Sequence, residues 1–159
     1  MNYSRIKELD IANGEGVRVS LFVSGCPNHC KGCFNPETWN YQYGEKFTVE
    51  TSRYIKELLT RDYIKGLSLL GGEPFAQSER DTTRLINLAE YTHSIEKDVW
   101  AYSGFTYEQL TKRNHELLKH IDVLVDGPFI EERKNPSLRF RGSENQRIIY
   151  LTNNGRCGI

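Results

Sequence analysis

Apolar and polar residues alternate in short segments along the chain, and these segments predict strands and helices in turn. Val17–Val23 has the two-residue period of a strand, and Ile55, Leu58 and Leu59 share one face of a helix that Thr48 caps and that runs to about residue 62. The next predicted elements are a strand at 66–70, a helix at 78–95 capped by Ser78, and a strand at 99–102. Thr106 and Gln109 have the spacing of a capping box, which predicts a third helix with Leu110, Leu117 and Leu118 on its inner face. Further strands are predicted at 121–126 and 147–151.

Strands separated by helices are typical of parallel sheets joined by right-handed crossovers. We therefore predict an α/β fold with a mostly parallel sheet, either open or shaped as a partial (β/α) barrel. One domain is expected over residues 1–159, with a regular core at about 17–126 and a loop-rich segment at about 127–159. Ligand sites in such folds lie at the C-terminal ends of the strands.

Composition limits the class of protein. A chain of 159 residues is long enough to bury one core, and 38% hydrophobic with 26% charged residues is typical of a globular protein rather than a disordered one. The 21 basic and 21 acidic side chains leave no broad charge for nucleic acid or anionic membranes. Without an apolar leader or membrane-length run, we expect a cytoplasmic protein that binds neither nucleic acid nor membrane.

Three of the four cysteines, Cys26, Cys30 and Cys33, lie within eight residues. Three thiolates from one loop favour an iron–sulfur cluster in which one iron lacks a cysteine ligand, and such an iron can accept the amino and carboxylate groups of a methionine moiety. Two alternatives remain open: a zinc site that includes His29, and a cluster closed by Cys157 for electron transfer. A disulfide framework is less compatible with this distribution.

A second candidate segment, Gly71, Gly72, Glu73 and Pro74, directly follows the apolar strand at 66–70. Two glycines allow a ligand to approach backbone groups without obstruction by a Cβ atom. Taken alone the segment is an ordinary turn between a strand and a loop. Because it follows the cysteine loop by about forty residues in an alternating α/β pattern, we interpret it as part of the same site.

The cysteine loop and the segment at 71–74 resemble motifs of the radical S-adenosylmethionine superfamily. Within it, the chain is similar to the activating proteins of anaerobic ribonucleoside-triphosphate reductase over about residues 3–147. The segments that carry this closer resemblance are 10–18, 21–26, 35–39, 100–105, 123–129 and 141–147. One departure is Gly32, where many superfamily members have an aromatic residue; Phe34 comes two positions later, after the last cysteine.

The resemblance implies a minimal radical S-adenosylmethionine fold in which Cys26, Cys30 and Cys33 ligate a [4Fe–4S] cluster and S-adenosylmethionine binds its fourth iron. The segment at 71–74 would contact the methionine amino group, with Glu73 as the acceptor. A flavodoxin or ferredoxin would supply an electron, and cleavage would give methionine and a 5′-deoxyadenosyl radical. That radical would take a hydrogen from a glycine Cα of the large reductase subunit. No catalytic side chain beyond cluster and cofactor is implied.

Two alternatives to this function remain: an activase of another glycyl-radical enzyme, and a non-catalytic zinc or closed-cluster module. Ser103 and Asp126 end predicted strands, where they are candidates for contacts with the methionine or ribose part of the cofactor or are simply polar strand ends. Asn35, Thr38 and Trp39 follow the cysteine loop and are candidates to pack against it, with an ordinary buried tryptophan as the safer interpretation. Residues 141–147 are expected to form an exposed loop, and contact with the reductase or the cofactor is the alternative. Cys157 is expected to be an exposed thiol of the tail.

Overall fold

The computed structural model describes residues 1–151, and within them the framework is one seven-stranded sheet in the order β3-β1-β2-β4-β5-β6-β7. The strands are β1 Asn2–Asp10, β2 Val17–Val23, β3 Glu45–Lys46, β4 Ile64–Gly71, β5 Asp98–Tyr102, β6 Val123–Asp126 and β7 Arg147–Tyr150. The α-helices are α1 Val49–Leu59, α2 Glu79–Ser94 and α3 Tyr107–Lys112. Short 3-10 helices span Pro36–Trp39, Pro74–Ala76, Glu116–His120 and Glu131–Arg133.

The centre of the sheet is parallel and its edges are antiparallel. Strands β2, β4, β5 and β6 pair in parallel, whereas β1 and β3 on one side and β7 on the other run antiparallel to their neighbours. The sheet does not close on itself, so the prediction of an α/β fold with a partial, barrel-like sheet is confirmed. Its four parallel strands bring their C-terminal ends to one rim, as the crossover topology requires.

The two faces of the sheet have different partners. Alternate side chains of the central strands pack against α1, α2 and α3 in the main core. The opposite face carries Phe22, Leu70 and Tyr102 toward an open cavity, and Trp100 packs there with Val123 and Val125. The helices described thus cover one face, while the other is left for loops and ligand.

The predicted helix starts are confirmed by their caps. The Thr48 hydroxyl accepts a hydrogen bond from the Thr51 N–H at 3.2 Å, and the Ser78 hydroxyl accepts one from Asp81 at 3.2 Å. Thr106 and Gln109 form the expected capping box. The prediction that α3 continues through Leu118 is wrong, because Asn114 adopts a left-handed φ of 49° and ends the helix.

A buried arginine links the β1–β2 turn to the central strands. Arg18 is fully buried, donates to the Ser68 hydroxyl at 2.7 Å and pairs with Asp98 at 2.5 Å. It also donates to the carbonyl oxygen of Glu15 at 3.0 Å, which fixes the β1–β2 turn below the sheet. A Cβ atom on Gly14 would lie 2.7 Å from the Arg18 side chain, so this turn fits only glycine. Among residues 1–151, no helix combines the length and apolar character needed to span a bilayer.

Candidate functional site

The open face of the sheet contains a cavity of about 650 Å³ at the C-terminal ends of the parallel strands. This volume lies in the range of pockets that hold small organic ligands. Its wall combines the cysteine loop, the ends of β4 and β5, the inner side of β1 and the segment at 127–146, which we call the covering segment. The site residues predicted from the sequence that line it are Cys26, Cys30, Cys33, Gly71, Gly72, Glu73 and Ser103.

The cysteine loop leaves the end of β2 and is held by the short helix Pro36–Trp39. The Gly25 N–H donates to the carbonyl oxygen of Thr38 at 2.7 Å, and the Cys26 N–H donates to that of Trp39 at 3.2 Å. Asn35 contributes a weak backbone contact to the Cys33 sulfur at 3.4 Å. Residues 35–39 therefore contact the cysteine loop, whereas Trp39 is half-buried rather than the ordinary buried tryptophan that the sequence made the safer interpretation. All three cysteines are free thiols of intermediate exposure, and burial raises the pKa of the Cys26 thiol.

His29, the candidate histidine ligand of the alternative zinc site, contacts an aromatic ring. The His29 imidazole stacks on the Trp39 indole with ring centroids 4.5 Å apart and planes 10° apart. Within the described residues, no three His, Cys, Asp or Glu side chains form a ready-made metal site, and this holds for Cys26, Cys30 and Cys33 as well, so the observation favours neither zinc nor an open cluster. Cys157 lies outside the described residues, so closure of a cluster by this thiol and its exposure stay predictions.

Gly32, the departure from the superfamily pattern, has a local structural reason. Its φ is +75°, and a Cβ atom there would lie 2.9 Å from the side chain of Glu131 in the covering segment. The left-handed φ is what favours glycine at this position, because the exposed Glu131 side chain could move to admit a Cβ atom. Phe34 instead supplies an aromatic ring to the cavity wall, 62% exposed and 5.0 Å from the ring of Phe129.

Glu73 is the polar centre of the site. Its side chain is 1% exposed and accepts four hydrogen bonds. Oε1 accepts from the Ser103 hydroxyl at 2.9 Å and the Phe75 N–H at 3.1 Å, and Oε2 accepts from the Gly104 N–H at 2.7 Å and the Asn28 side chain at 3.1 Å. One carboxylate therefore joins the ends of β4 and β5 to the cysteine loop.

The protonation of Glu73 is set by two opposing effects. Burial disfavours the charged form and raises the pKa of Glu73 to about 7, while its hydrogen-bond donors limit that rise. Its donors are all neutral groups, so the carboxylate lacks a cationic partner among the residues that touch it. Charge and protonation at this position will therefore respond to a cation that enters the cavity.

The two glycines before Glu73 allow three backbones to meet at the rim. Gly71 has a φ of +105°, and a Cβ atom there would lie 2.7 Å from the Phe22 backbone. A Cβ atom on Gly72 would lie 2.6 Å from the carbonyl oxygen of Gly25. The Gly72 N–H donates to the Val23 carbonyl oxygen at 2.6 Å, which binds the segment to the start of the cysteine loop. Both glycines are required by close backbone contact as well as by access to the cavity.

The other predicted site residues lie in different positions. Pro74 is buried and opens the short helix Pro74–Ala76 behind the cavity wall. Asp126 is buried outside the cavity lining, where it accepts a hydrogen bond from the Tyr107 N–H at 2.7 Å and pairs with Arg147 at 2.5 Å. Through these contacts Asp126 links β6 to α3 and β7. Direct contact of Asp126 with a cofactor stays a prediction.

Sequence reasoning missed two residues of the site. Asn28 lies between the first two cysteines, and its role as a donor to Glu73 depends on a contact across 45 positions of the chain. Tyr102 lines the cavity at the end of β5, and its buried hydroxyl forms no hydrogen bond within residues 1–151. Burial raises the pKa of Tyr102 well above its ordinary value, so the hydroxyl remains a donor. Its position directly before Ser103, at a strand end, was the available signal.

The covering segment is ordered by one glutamine. The Gln146 side chain accepts hydrogen bonds from the N–H groups of Gly142 and Ser143 at 2.9 and 3.1 Å and donates to the Gly127 carbonyl oxygen at 3.0 Å. Ser143 is fully buried and accepts from the Ile130 N–H at 3.2 Å. The expectation of an exposed loop at 141–147 holds only for Glu144 and Arg147, because Ser143 is buried and Arg141, Gly142 and Gln146 line the cavity.

Comparison with known proteins gives matches along nearly the whole chain. A family model described as a 4Fe-4S single cluster domain matches residues 12–149. Three similar proteins are each named anaerobic ribonucleoside-triphosphate reductase-activating protein. That of Vibrio cholerae is 41% identical over 154 residues, covering 96% of this chain and 99% of its own length. That of Enterobacteria phage T4 is 39% identical and covers 93% of this chain and 93% of its own length. That of Escherichia coli K12 is 38% identical and covers 95% of this chain and 99% of its own length.

Proposed function

The chain belongs to the family of anaerobic ribonucleoside-triphosphate reductase-activating proteins, and from that premise we propose that it generates a glycyl radical on the large reductase subunit. The reaction would use a [4Fe–4S] cluster held by Cys26, Cys30 and Cys33 together with S-adenosylmethionine. The observation that supports this most strongly is that the three thiols and the Glu73 segment line one cavity.

The donor set fits an open cluster. Three free cysteines face the cavity from one loop, and none is paired in a disulfide. A four-iron cluster with three cysteine ligands keeps one iron for an exogenous ligand. Cys26, Cys30 and Cys33 would hold this cluster, and the reduced cluster would supply the electron for cleavage of S-adenosylmethionine to methionine and the radical that takes hydrogen from a glycine Cα.

The cavity wall also fits an amino acid cofactor. Glu73 offers a carboxylate surrounded by neutral donors, which suits the N–H groups of a methionine amino group whose nitrogen would bind iron. Gly71 and Gly72 leave the rim free of side chains, and the unpaired hydroxyl of Tyr102 offers a donor to a polar part of the ligand. In this proposal Ser103 orients Glu73 through its 2.9 Å hydrogen bond rather than contacting the cofactor itself.

The proposal includes two protein partners. The large subunit of anaerobic ribonucleoside-triphosphate reductase would present its glycine at the cavity mouth, and a flavodoxin or ferredoxin would reduce the cluster. Water exclusion protects radical intermediates, and the open side of the sheet leaves this to the partner. We place this reaction in the cytoplasm as part of the same proposal.

The function is tested by anaerobic reconstitution with iron and sulfide, reduction with dithionite, and measurement of 5′-deoxyadenosine from S-adenosylmethionine. Addition of the purified large reductase subunit should then give a glycyl radical signal in electron paramagnetic resonance. Cleavage without a radical on this subunit would point to another glycyl-radical enzyme as the target. Absence of cleavage together with tightly held zinc would support the non-catalytic module instead.

Binding of S-adenosylmethionine should be coupled to ionisation of Glu73. Because its pKa is raised to about 7, Glu73 is mostly protonated at pH 6, and an amino group that donates a hydrogen bond to it favours the carboxylate. Between about pH 6 and about pH 7, the affinity of wild type should therefore rise about fivefold more than that of a variant without this carboxyl group. At about pH 6, calorimetry in buffers of different ionisation enthalpy should detect release of nearly one proton more per cofactor than in that variant. A proton that the cofactor's own ammonium group loses on binding iron is common to both proteins.

The Glu73→Gln variant is the control for this linkage. It keeps the size of the side chain and removes its titration, so the part of the pH dependence that Glu73 contributes should disappear even if the affinity itself falls. A wild-type protein that releases no more protons on binding than this variant would contradict the assignment of Glu73 as acceptor for the amino group.

A further inference from the structure

The outer edge of β1 is free along most of its length. Only Asn2 and Tyr3 pair with β3, whereas β1 extends to Asp10. In the described part of the chain, residues 4–10 have no second strand beside them, a stretch of about 23 Å at the usual rise per residue. An unpaired edge offers backbone N–H and C=O groups to another chain.

Two cations stand on this edge and face the cavity. The Arg5 guanidinium lies 4.9 Å from the centroid of the Phe22 ring, and the Lys7 ammonium lies 5.7 Å from it. Both side chains line the cavity, and neither forms a salt bridge within residues 1–151, although the Lys7 charge favours the ionised form of Asp10 at the end of the same strand. Stacking on Phe22 holds both charges on the same side of the strand, where an incoming group meets them together.

The rest of the cavity gives these cations no internal partner. Glu73 is the single carboxylate among the described residues that line it, and its oxygens already accept four hydrogen bonds. Lys134 and Arg141 of the covering segment add positive charge on the far side of the opening. The mouth of the cavity is therefore electropositive although the whole chain has a net charge of +0.

We propose that the free edge of β1 is the docking strip for an extended, acidic segment of the partner protein that carries the target glycine into the cavity. This inference rests on the function proposed above and names the recognition device of the same site. The segment would add a strand beside β1, with acidic side chains two positions apart facing Arg5 and Lys7.

The regular part of β1 is short, which limits how much its backbone can contribute to binding of the partner segment. Register shifts between Tyr3 and Arg5 and between Lys7 and Asp10 leave Arg5 to Lys7 as the regular part of β1. So short a stretch provides few backbone hydrogen bonds, and the two cations therefore carry much of the recognition. Bulges beside an edge also discourage unspecific strand pairing, which suits a transient partner.

A second copy of this chain is a poorer occupant. Antiparallel pairing of two β1 edges around this stretch would bring the Arg5 and Lys7 side chains of both copies close together. Like charges on facing strands destabilise pairing, whereas carboxylates on an incoming strand would neutralise them. The arrangement thus favours a partner segment of opposite charge over self-association.

The test uses anaerobically reconstituted protein and the purified large reductase subunit. A double variant, Arg5→Glu with Lys7→Glu, is compared with Arg53→Glu with Arg80→Glu, which reverses two exposed charges on the helix side of the sheet. We expect the first double variant to bind the reductase about 10- to 100-fold more weakly than wild type, with an affinity that no longer falls as the ionic strength rises. The second double variant should bind like wild type. Hydrogen exchange should slow at residues 4–10 in the complex and not at β7.

The outcomes separate this inference from the function on which it rests. A wild-type protein that neither binds nor activates the reductase defeats the proposed function. If both double variants bind the reductase as well as wild type does, the proposed docking of a partner segment along β1 is wrong. A raised KM for S-adenosylmethionine without the reductase, with partner affinity unchanged, would assign the cations to the cofactor. If wild type dimerises in a concentration-dependent way and the first double variant does not, the free edge of β1 pairs with a second copy of this chain instead.

Discussion

Replacement of Cys26, Cys30 or Cys33 by serine is expected to abolish formation of 5′-deoxyadenosine. A serine hydroxyl remains protonated at neutral pH and is a poor ligand for iron, so each variant leaves a second iron open and the cluster unstable. Because even outer-shell changes at metal sites cost 10- to 100-fold in activity, we expect a loss of at least about 100-fold for each ligand.

The measurement compares iron content, cluster absorption and cofactor cleavage in the three single variants. Cys157→Ala serves as the matched control, since it removes the one thiol outside the loop and should keep all three properties. Cluster loss in that control would favour a cluster closed by four cysteines. Full activity in any of the three loop variants would refute the proposed ligand set.

Removal of the Glu73 side chain should cause the largest loss of folding stability in the site. Glu73→Ala leaves the donors of Asn28, Ser103, Phe75 and Gly104 without their acceptor in a buried environment. Each buried donor without a partner costs about 1–3 kcal/mol, and partial entry of water reduces their sum. We expect the free energy of unfolding to fall by about 3–5 kcal/mol.

Urea unfolding of the protein without cluster measures this loss, with Glu57→Ala on the exposed side of α1 as the control. The control should change the free energy of unfolding by less than about 0.5 kcal/mol. If Glu73→Ala changed the free energy of unfolding as little as the control does, the hydrogen bonds of Glu73 would not be what holds the ends of β4 and β5 to the cysteine loop. Cofactor binding would then have to be explained without a fixed Glu73.

The order of central strands and helices was predictable because it follows from local chemistry. Apolar alternation in β2 and the hydroxyl caps at Thr48, Ser78 and Thr106 are determined by residues close together in the chain. The edge strand β1 was not predicted, since one of its faces carries Arg5 and Lys7 toward a cavity that the sequence pattern does not reveal. A strand on a polar cavity wall lacks the alternation that marks a buried strand.

The candidate site was predictable to the level of its motifs. The cysteine spacing and the two glycines before Glu73 predicted the rim of the sheet, where the structure places them. Contacts that link distant segments were not predictable, such as the bond from Asn28 to Glu73 and the approach of Glu131 to Gly32. Such contacts depend on how loops pack, which neither propensity nor periodicity describes.

The one-sided placement of the helices has a practical consequence. The core that stabilises the fold lies between the sheet and α1 and α2, whereas the chemistry belongs to the opposite face. Exposed positions on α1, such as Arg53, therefore suit fluorophores, affinity tags or attachment to an electrode. A protein immobilised by that side would present its cavity to solution, so reduction of the cluster and arrival of the partner could be followed on one surface.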